Sequence, residues 1–250
     1  MAGTRGKLPA GWGGGQARPT RLLHGDGAGI LRIAASRKSG NRAMRAGRNM
    51  FRIGERRDTV YFLAEGWAFL YNISKNGRRQ ILHFALPGDV LGFHPAGGDV
   101  TSYGAQALTD IVVSTIPHKT LEHLAIEFPE VGMTLARMMS RDRDLAYGHL
   151  TNIGRRTARE RVANLILELY VRYGSQWPGA CATEMHLPLT QEHVGDATGL
   201  TSVHVNRVLR GLRQEKIVEF HYRRLRILDP DRLVDAASVD PQVMRSWARR

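Results

Sequence analysis

Hydrophobic and polar positions change their spacing three times along the chain, and each change marks an element boundary. Between Phe51 and Pro117 the apolar residues come in short runs of Val, Ile, Phe, Tyr and Leu. The runs are separated by turn signals at Asn76-Gly77, Pro87-Gly88-Asp89 and Gly97-Gly98-Asp99. Such runs predict β-strands. Thr59 to Ile73 and Gln80 to Leu86 flank Lys75-Asn76-Gly77-Arg78 as an antiparallel pair, and Ile111 to Ile116 forms a later strand that ends at Pro117. A roll or barrel is the economical way to pack them.

From about Lys119 to Asn152 the spacing becomes helical, with a break at Phe128-Pro129 because proline cannot continue a helix from the preceding turn. Beyond the break, Val131, Leu135, Met138, Asp142, Leu145 and His149 alternate at spacings of four and three, the seam of a coiled coil. That pattern predicts a dimerisation helix, against the alternative of a helix docked on its own domain. Thr157 to Arg172 is a further helix, with Ala158, Val162, Leu165, Ile166 and Leu169 on one face.

Leu189 to Leu228 fits a helix-turn-helix residue by residue. Thr190 caps a first helix running to about Ala197, Gly195 is small where two helices must cross, and Gly199 supplies the turn. Leu200 fills the corner, Thr201 or Ser202 caps the next helix, and Val205, Val208, Leu209 and Leu212 form its buried stripe. The opposite face carries Ser202, Val203, His204, Asn206, Arg207, Arg210 and Arg213. This is the chemistry of DNA reading. Arg207 suits guanine O6 and N7, Asn206 suits adenine N6 and N7, and Val203 suits a thymine methyl, with His204 beside them. Thr190, Gln191, Thr201, Ser202 and Arg210 are placed to meet the DNA backbone. Ile217 to Leu228 alternates around a turn near Tyr222 to Arg224, a hairpin wing that brings Arg223, Arg224 and Arg226 toward phosphates.

Charge changes this picture less than its total suggests. The formal net charge is +13, but residues 1 to 50 hold ten Lys/Arg against one acid, residues 51 to 150 hold ten against eleven, and the rest hold sixteen against eleven. Most of the surplus sits in a leader, residues 1–50, whose Gly-Trp-Gly-Gly-Gly at 11 to 15 and scattered arginines show no period of 2 or 3.6. The expectation is a poorly ordered basic tail. The lone Cys181 allows neither an internal disulfide nor a cysteine metal cage, and no apolar run reaches the roughly 20 residues of a membrane span. A cytoplasmic protein without a membrane partner follows as the expectation.

The stretch LPLTQEHVGDATGLTSVHVNRVLRGLRQEKIVEF resembles the DNA-binding domain of the Crp/Fnr family, and VYFLAEGWAFLY, GRRQILHFALPGDVLGF and RRTARERVANLILEL resemble its β-roll, the turn before its effector pocket and its hinge-side helix. The resemblance runs from about Gly54 to Pro230. It implies an α+β fold: a cyclic-nucleotide-binding-like β-roll (51–118), a dimerisation helix region (119–154) and a winged helix-turn-helix (155–230), followed by a C-terminal tail (231–250). It also implies a homodimeric transcription regulator on a palindromic stretch of double-stranded DNA, with RNA polymerase as a further partner.

Departures from the family pattern narrow the expectation. Of the recognition-helix Glu, Ser or Gly, and Arg of many members, only Arg207 matches; Val203 replaces the Glu and Asn206 precedes the arginine. In cyclic-AMP-binding members a Glu and an Arg-Ser pair hold the nucleotide, where this chain has Phe93, Thr101 and Ser102. Without the arginine the phosphate lacks its counter-charge, so no cyclic-AMP dependence and no cofactor is expected, and the effector has no name. One cysteine does not furnish an iron-sulfur cluster of the Fnr kind. The rival readings are a cupin-like metal-binding protein or enzyme using His83, His94 and His118, and a ligand-binding relative with an inactive DNA domain. No nucleophile elbow, Walker loop or carboxylate pair stands out, and Asp142 and Asp144 read as seam or solvated charges, so no catalytic role is expected.

Overall fold

The computed structural model describes residues 41–56, 58–93, 100–173 and 184–248, which fall into two compact units meeting in sequence at His149 and Leu150. The first forty residues of the predicted leader, His94, the Gly97-Gly98-Asp99 turn and Cys181 lie outside the described residues.

Among the described residues, eight strands build the first unit. Sheet order β1-β8-β3-β6 joins β1 (Asn41–Met44), β8 (Ile111–Pro117), β3 (Thr59–Glu65) and β6 (Val90–Leu91), and order β2-β7-β4-β5 joins β2 (Asn49–Phe51), β7 (Gly104–Ala107), β4 (Ala68–Ile73) and β5 (Arg79–Ala85), all antiparallel. Met50, Phe51, Leu63, Ala68, Ala85, Leu91, Ala105, Ala107, Ile111 and Val113 form one core from strands of both sheets, as in a roll.

Two expectations are corrected here. Thr59 to Ile73 is not a single strand: Gly66, at φ 79°, breaks it and transfers the chain from one sheet to the other. Only glycine fits, because a Cβ there lies 2.2 Å from the Asp110 carbonyl oxygen. Nor is the leader unstructured to residue 50, since β1 and β2 lie within 41–51. β1 carries no apolar alternation because its side chains are largely exposed; it is held by its ladder to β8 and by Ser114 Oγ donating to Asn41 Oδ1 at 2.7 Å.

Two helices follow, α1 (His118–Glu127) and α2 (Pro129–Arg155), with proline at the first position of α2 where its missing N–H costs nothing. Val131 and Leu135 of α2 join Val60, Val90, Ile116 and Leu121 in a second core, with Met138 packed against it. Leu145 is buried as well, Asp142 accepts from Arg141 at 3.2 Å, and His149 Nδ1 lies 3.2 Å from the Leu82 carbonyl. The predicted dimer seam is therefore the face that docks on the helix's own roll. Arg141 fastens it further, donating to Asp89 at 2.7 Å, while Asp89 also accepts from Leu86 N–H and so closes the Pro87-Gly88-Asp89 turn. Burial alone lowers the Arg141 pKa, but Asp89 and Asp142 outweigh it and hold the guanidinium above its ordinary value.

The second unit is centred on α3 (Ala158–Arg172), which is buried from Val162 to its end and opens with a reciprocal cap between Thr157 and Glu160. The expected tail is also corrected: α6 (Pro230–Ala237) and α7 (Pro241–Ala248) both contact α3, burying Leu233, Ala237, Val239, Met244 and Trp247. No helix among the described residues is long and apolar enough to cross a membrane.

Candidate nucleic-acid interface

Helix α4 (Gln191–Thr198), the turn at Gly199 and helix α5 (Ser202–Gln214) form the predicted pair. Thr190 accepts from His193 N–H while its own N–H donates to the His193 ring, and Thr201 accepts from His204 N–H at 3.3 Å. Both hydroxyls are therefore caps first. Gly199 adopts φ 69°, and the Leu200 N–H donates to the Gly195 carbonyl at 3.0 Å. A Cβ on Gly195 lies 2.5 Å from the Leu200 carbonyl oxygen, so the close approach read from the sequence is real. Leu200 is half-buried rather than fully enclosed, as is Val208, whereas Val205, Leu209 and Leu212 are buried.

On the outer side of α5, Ser202, Val203, His204, Asn206, Arg207, Arg210 and Arg213 are all exposed, Val203 to 72%. Asn206 Nδ2 donates to Gln191 Oε1 at 3.2 Å, which joins the two helices across their outer surface. Arg207 and Arg210 have no hydrogen bond or ion pair with any described residue. Arg213 is directed elsewhere, to the His221 ring at 2.8 Å.

The wing consists of β10 (Val218–His221) and β11 (Arg224–Ile227), and β11 also pairs with β9 (Glu184–His186), a third strand absent from the sequence reading. Three residues give too short an alternation to stand out. This strand matters to the charge: Arg224 is paired with Glu184 at 2.5 Å, and Arg226 with Glu219 at 3.0 Å. Of the three wing arginines read as phosphate contacts, only Arg223 has no acidic partner among the described residues. Behind the interface, Glu215 accepts from Arg159 and Arg232, tying the end of α5 to α3 and α6, and these guanidinium contacts hold its carboxyl below the usual range.

The two described histidines of the metal reading have separate partners. His83 faces Asp89 at 3.8 Å, while His118 approaches the Gly92 carbonyl at 3.2 Å and stacks on Phe93. No group of three His, Cys, Asp or Glu suited to a metal occurs among the described residues.

Comparison with known proteins agrees with this layout. Residues 160–236 match the family model for a Crp-like helix-turn-helix domain, and residues 41–127 match that for a cyclic nucleotide-binding domain. The chain is 30% identical over 194 residues to the transcriptional activator protein Anr of Pseudomonas protegens, covering 77% of this chain and 78% of that protein. It is 32% identical over 183 residues to the transcriptional activatory protein AadR of Rhodopseudomonas palustris, covering 73% and 75%. The structure of FixK2 from Bradyrhizobium japonicum superposes with a TM-score of 0.72 at 29% identity, covering 81% of this chain and 98% of that one.

Proposed function

Because this chain belongs to the Crp/Fnr family of transcription regulators, we propose that it acts as a homodimer on a two-fold-symmetric DNA site, with α5 of each copy in successive major grooves. The observation that carries the reading is the outer face of α5: Val203, His204, Asn206 and Arg207 stand together, exposed, and Arg207 and Arg210 meet no acid among the described residues. Val203, His204, Asn206 and Arg207 read bases. Thr190, Gln191, Thr201, Ser202, Arg210 and Arg223 lie along the sugar-phosphate backbone, and Arg224 contributes only in part because Glu184 already compensates it. Its work is regulatory binding in the cytoplasm, and RNA polymerase is its further partner.

Dimerisation uses the side of α2 that the roll leaves free. Met133, Tyr147 and Leu150 are exposed there at helical spacing, with Ala136, Ser140 and Gly154 between and beyond them.

The cyclic-nucleotide-binding domain does not fit a cyclic nucleotide at the positions described. Phe93 is stacked on His118, and the Thr101 hydroxyl is buried and donates to the Arg52 carbonyl at 2.8 Å. Neither offers the phosphate a counter-charge.

Selection of the purified protein against a randomised duplex library at two salt concentrations, beside Arg207→Ala, tests the reading. The expected product is a palindrome with half-sites about one helical turn apart and a steep salt dependence. Sequence-independent retention, unchanged in the variant, overturns it.

A further inference from the structure

Asn206 and Gln191 share a contact that neither helix needs for its own fold. Helices α4 and α5 are capped by Thr190 and Thr201 and bury Val194, Gly195 and Val205 on their inner sides. On the outer surface Asn206 Nδ2 donates to Gln191 Oε1 at 3.2 Å, with both residues exposed. Gln191 is the first residue of α4, and Asn206 stands in the second turn of α5 beside Arg207. The two side chains make no other hydrogen bond with a described residue.

That one bond decides what each amide has left to offer. A primary amide carries two N–H donors and one carbonyl acceptor. An exposed asparagine turns about χ2 with little preference, so an unheld Asn206 would present either end of its amide to a base. The bond to Gln191 commits one N–H, fixes which end is which, and leaves one N–H and Oδ1. One donor beside one acceptor matches adenine, whose N7 accepts and whose N6 donates. Guanine offers two acceptors there, N7 and O6, and sets an oxygen against Oδ1. Gln191, with Oε1 engaged, retains only Nε2, a donor of the kind that a phosphate oxygen accepts from.

The geometry points to Gln191 as a positioning residue for base reading: its Nε2 donates to a backbone phosphate, its Oε1 holds the Asn206 amide, and Asn206 so held selects adenine against guanine. This rests on the DNA-binding reading above. The phosphate fixes Gln191, and the bond between the amides passes that register to the base contact, so a residue that touches only the backbone sets a sequence preference. The bond competes with water while the face is exposed and strengthens where the DNA excludes it. A phosphate contact without this bond would raise affinity equally for every base.

The test uses the full chain and the recovered operator. The base pair under Asn206 is the one whose preference disappears in Asn206→Ala, and operators carrying each of the four bases at that position are compared in competition binding. The wild type is expected to prefer adenine to guanine by about tenfold or more, the discrimination of one bidentate pair. Gln191→Met, which removes both the acceptor and the phosphate donor, binds the adenine and guanine operators within about twofold of each other. Gln191→Glu keeps an acceptor for Asn206 but loses the donor and sets a negative charge against the phosphate. It binds every operator more weakly and retains the adenine preference. A Gln191→Met protein that is weaker on all four operators with the wild-type ratio, or a Gln191→Glu protein that loses the ratio as Gln191→Met does, overturns the positioning role alone. No position changed by Asn206→Ala overturns the base contact and the positioning role together, and failure to recover any operator overturns the DNA-binding reading with them.

Discussion

Replacing Gly195 by alanine sets two known effects against each other, and the structure decides the sign. In an open helix the change is favourable by up to about 1 kcal/mol, since alanine loses less backbone entropy. At Gly195 the new Cβ lies 2.5 Å from the Leu200 carbonyl oxygen, about 0.9 Å inside the 3.4 Å at which ordinary contact begins. That oxygen is backbone in the turn that aims α5, so it has no rotamer to escape into. Forcing an extra methyl into such a contact costs roughly 1–3 kcal/mol, and the Leu200-to-Gly195 hydrogen bond that closes the same turn adds about 1 kcal/mol if it is stretched. The net loss is about 1–3 kcal/mol, or a fall of roughly 5–15 °C in the Tm of a unit this size. Gly211→Ala on α5 is the control: its Cβ meets nothing nearer than Arg159 Nη1 at 3.9 Å, so propensity acts alone and the Tm rises. Thermal unfolding and DNA binding of both variants supply the check. If Gly195→Ala is as stable as Gly211→Ala and binds DNA like the wild type, the close crossing does not position the recognition helix.

Other perturbations read other parts of the molecule. Asp89→Asn removes the nearer of Arg141's two carboxylate partners and leaves Asp142, and is expected to cost about 1.5–3 kcal/mol, measured by urea denaturation of the roll. Trp247→Ala removes a buried indole from a unit centred on α3 and is expected to cost about 3 kcal/mol; a loss below 0.5 kcal/mol on that estimate returns the last residues to the status of a tail. Glu215 has a folded pKa below its ordinary 4.5, so its contribution is present above pH 4.5 and lost as pH falls through the folded value. Glu215→Gln is accordingly expected to flatten the acid side of the Tm-against-pH curve, and an unchanged slope refutes the contribution. Tyr147→Asp is expected to yield folded monomers in sedimentation, whereas Leu135→Asp unfolds the roll, because the two residues occupy opposite sides of α2.

The helix-turn-helix was legible because its constraints are local. Thr190, Gly195, Gly199 and Thr201 each answer a backbone requirement within five residues, and the structure places all four where the sequence requires them. The wing hairpin was legible for the same reason. What escaped depends on distant partners: β1 is specified by β8 some seventy residues away, and β9 by β11 some forty away. Glu184, which neutralises Arg224, has no signal of its own in the sequence. The C-terminal helices did carry one, with Asp229-Pro230 as a cap and first helical residue and Leu233, Ala237, Met244 and Trp247 at helical spacing. Their short length and their position after the wing hid it.

The seam on α2 shows why period alone does not assign a partner. A four-three alternation states that one side of a helix is apolar, and any apolar surface satisfies it. Val131 and Leu135 meet the roll of their own chain and Leu145 is buried, so that demand is already met. The two polar members, Asp142 and His149, which look out of place in a dimer core, have local partners in Arg141 and the Leu82 carbonyl. The opposite side is weaker as a pattern, since Ser140 and Arg143 interrupt it, yet it keeps Met133 and Tyr147 in water at 55% and 61% exposure. Large apolar side chains left exposed on a helix whose other side is docked are better evidence for a second copy than the stronger periodicity.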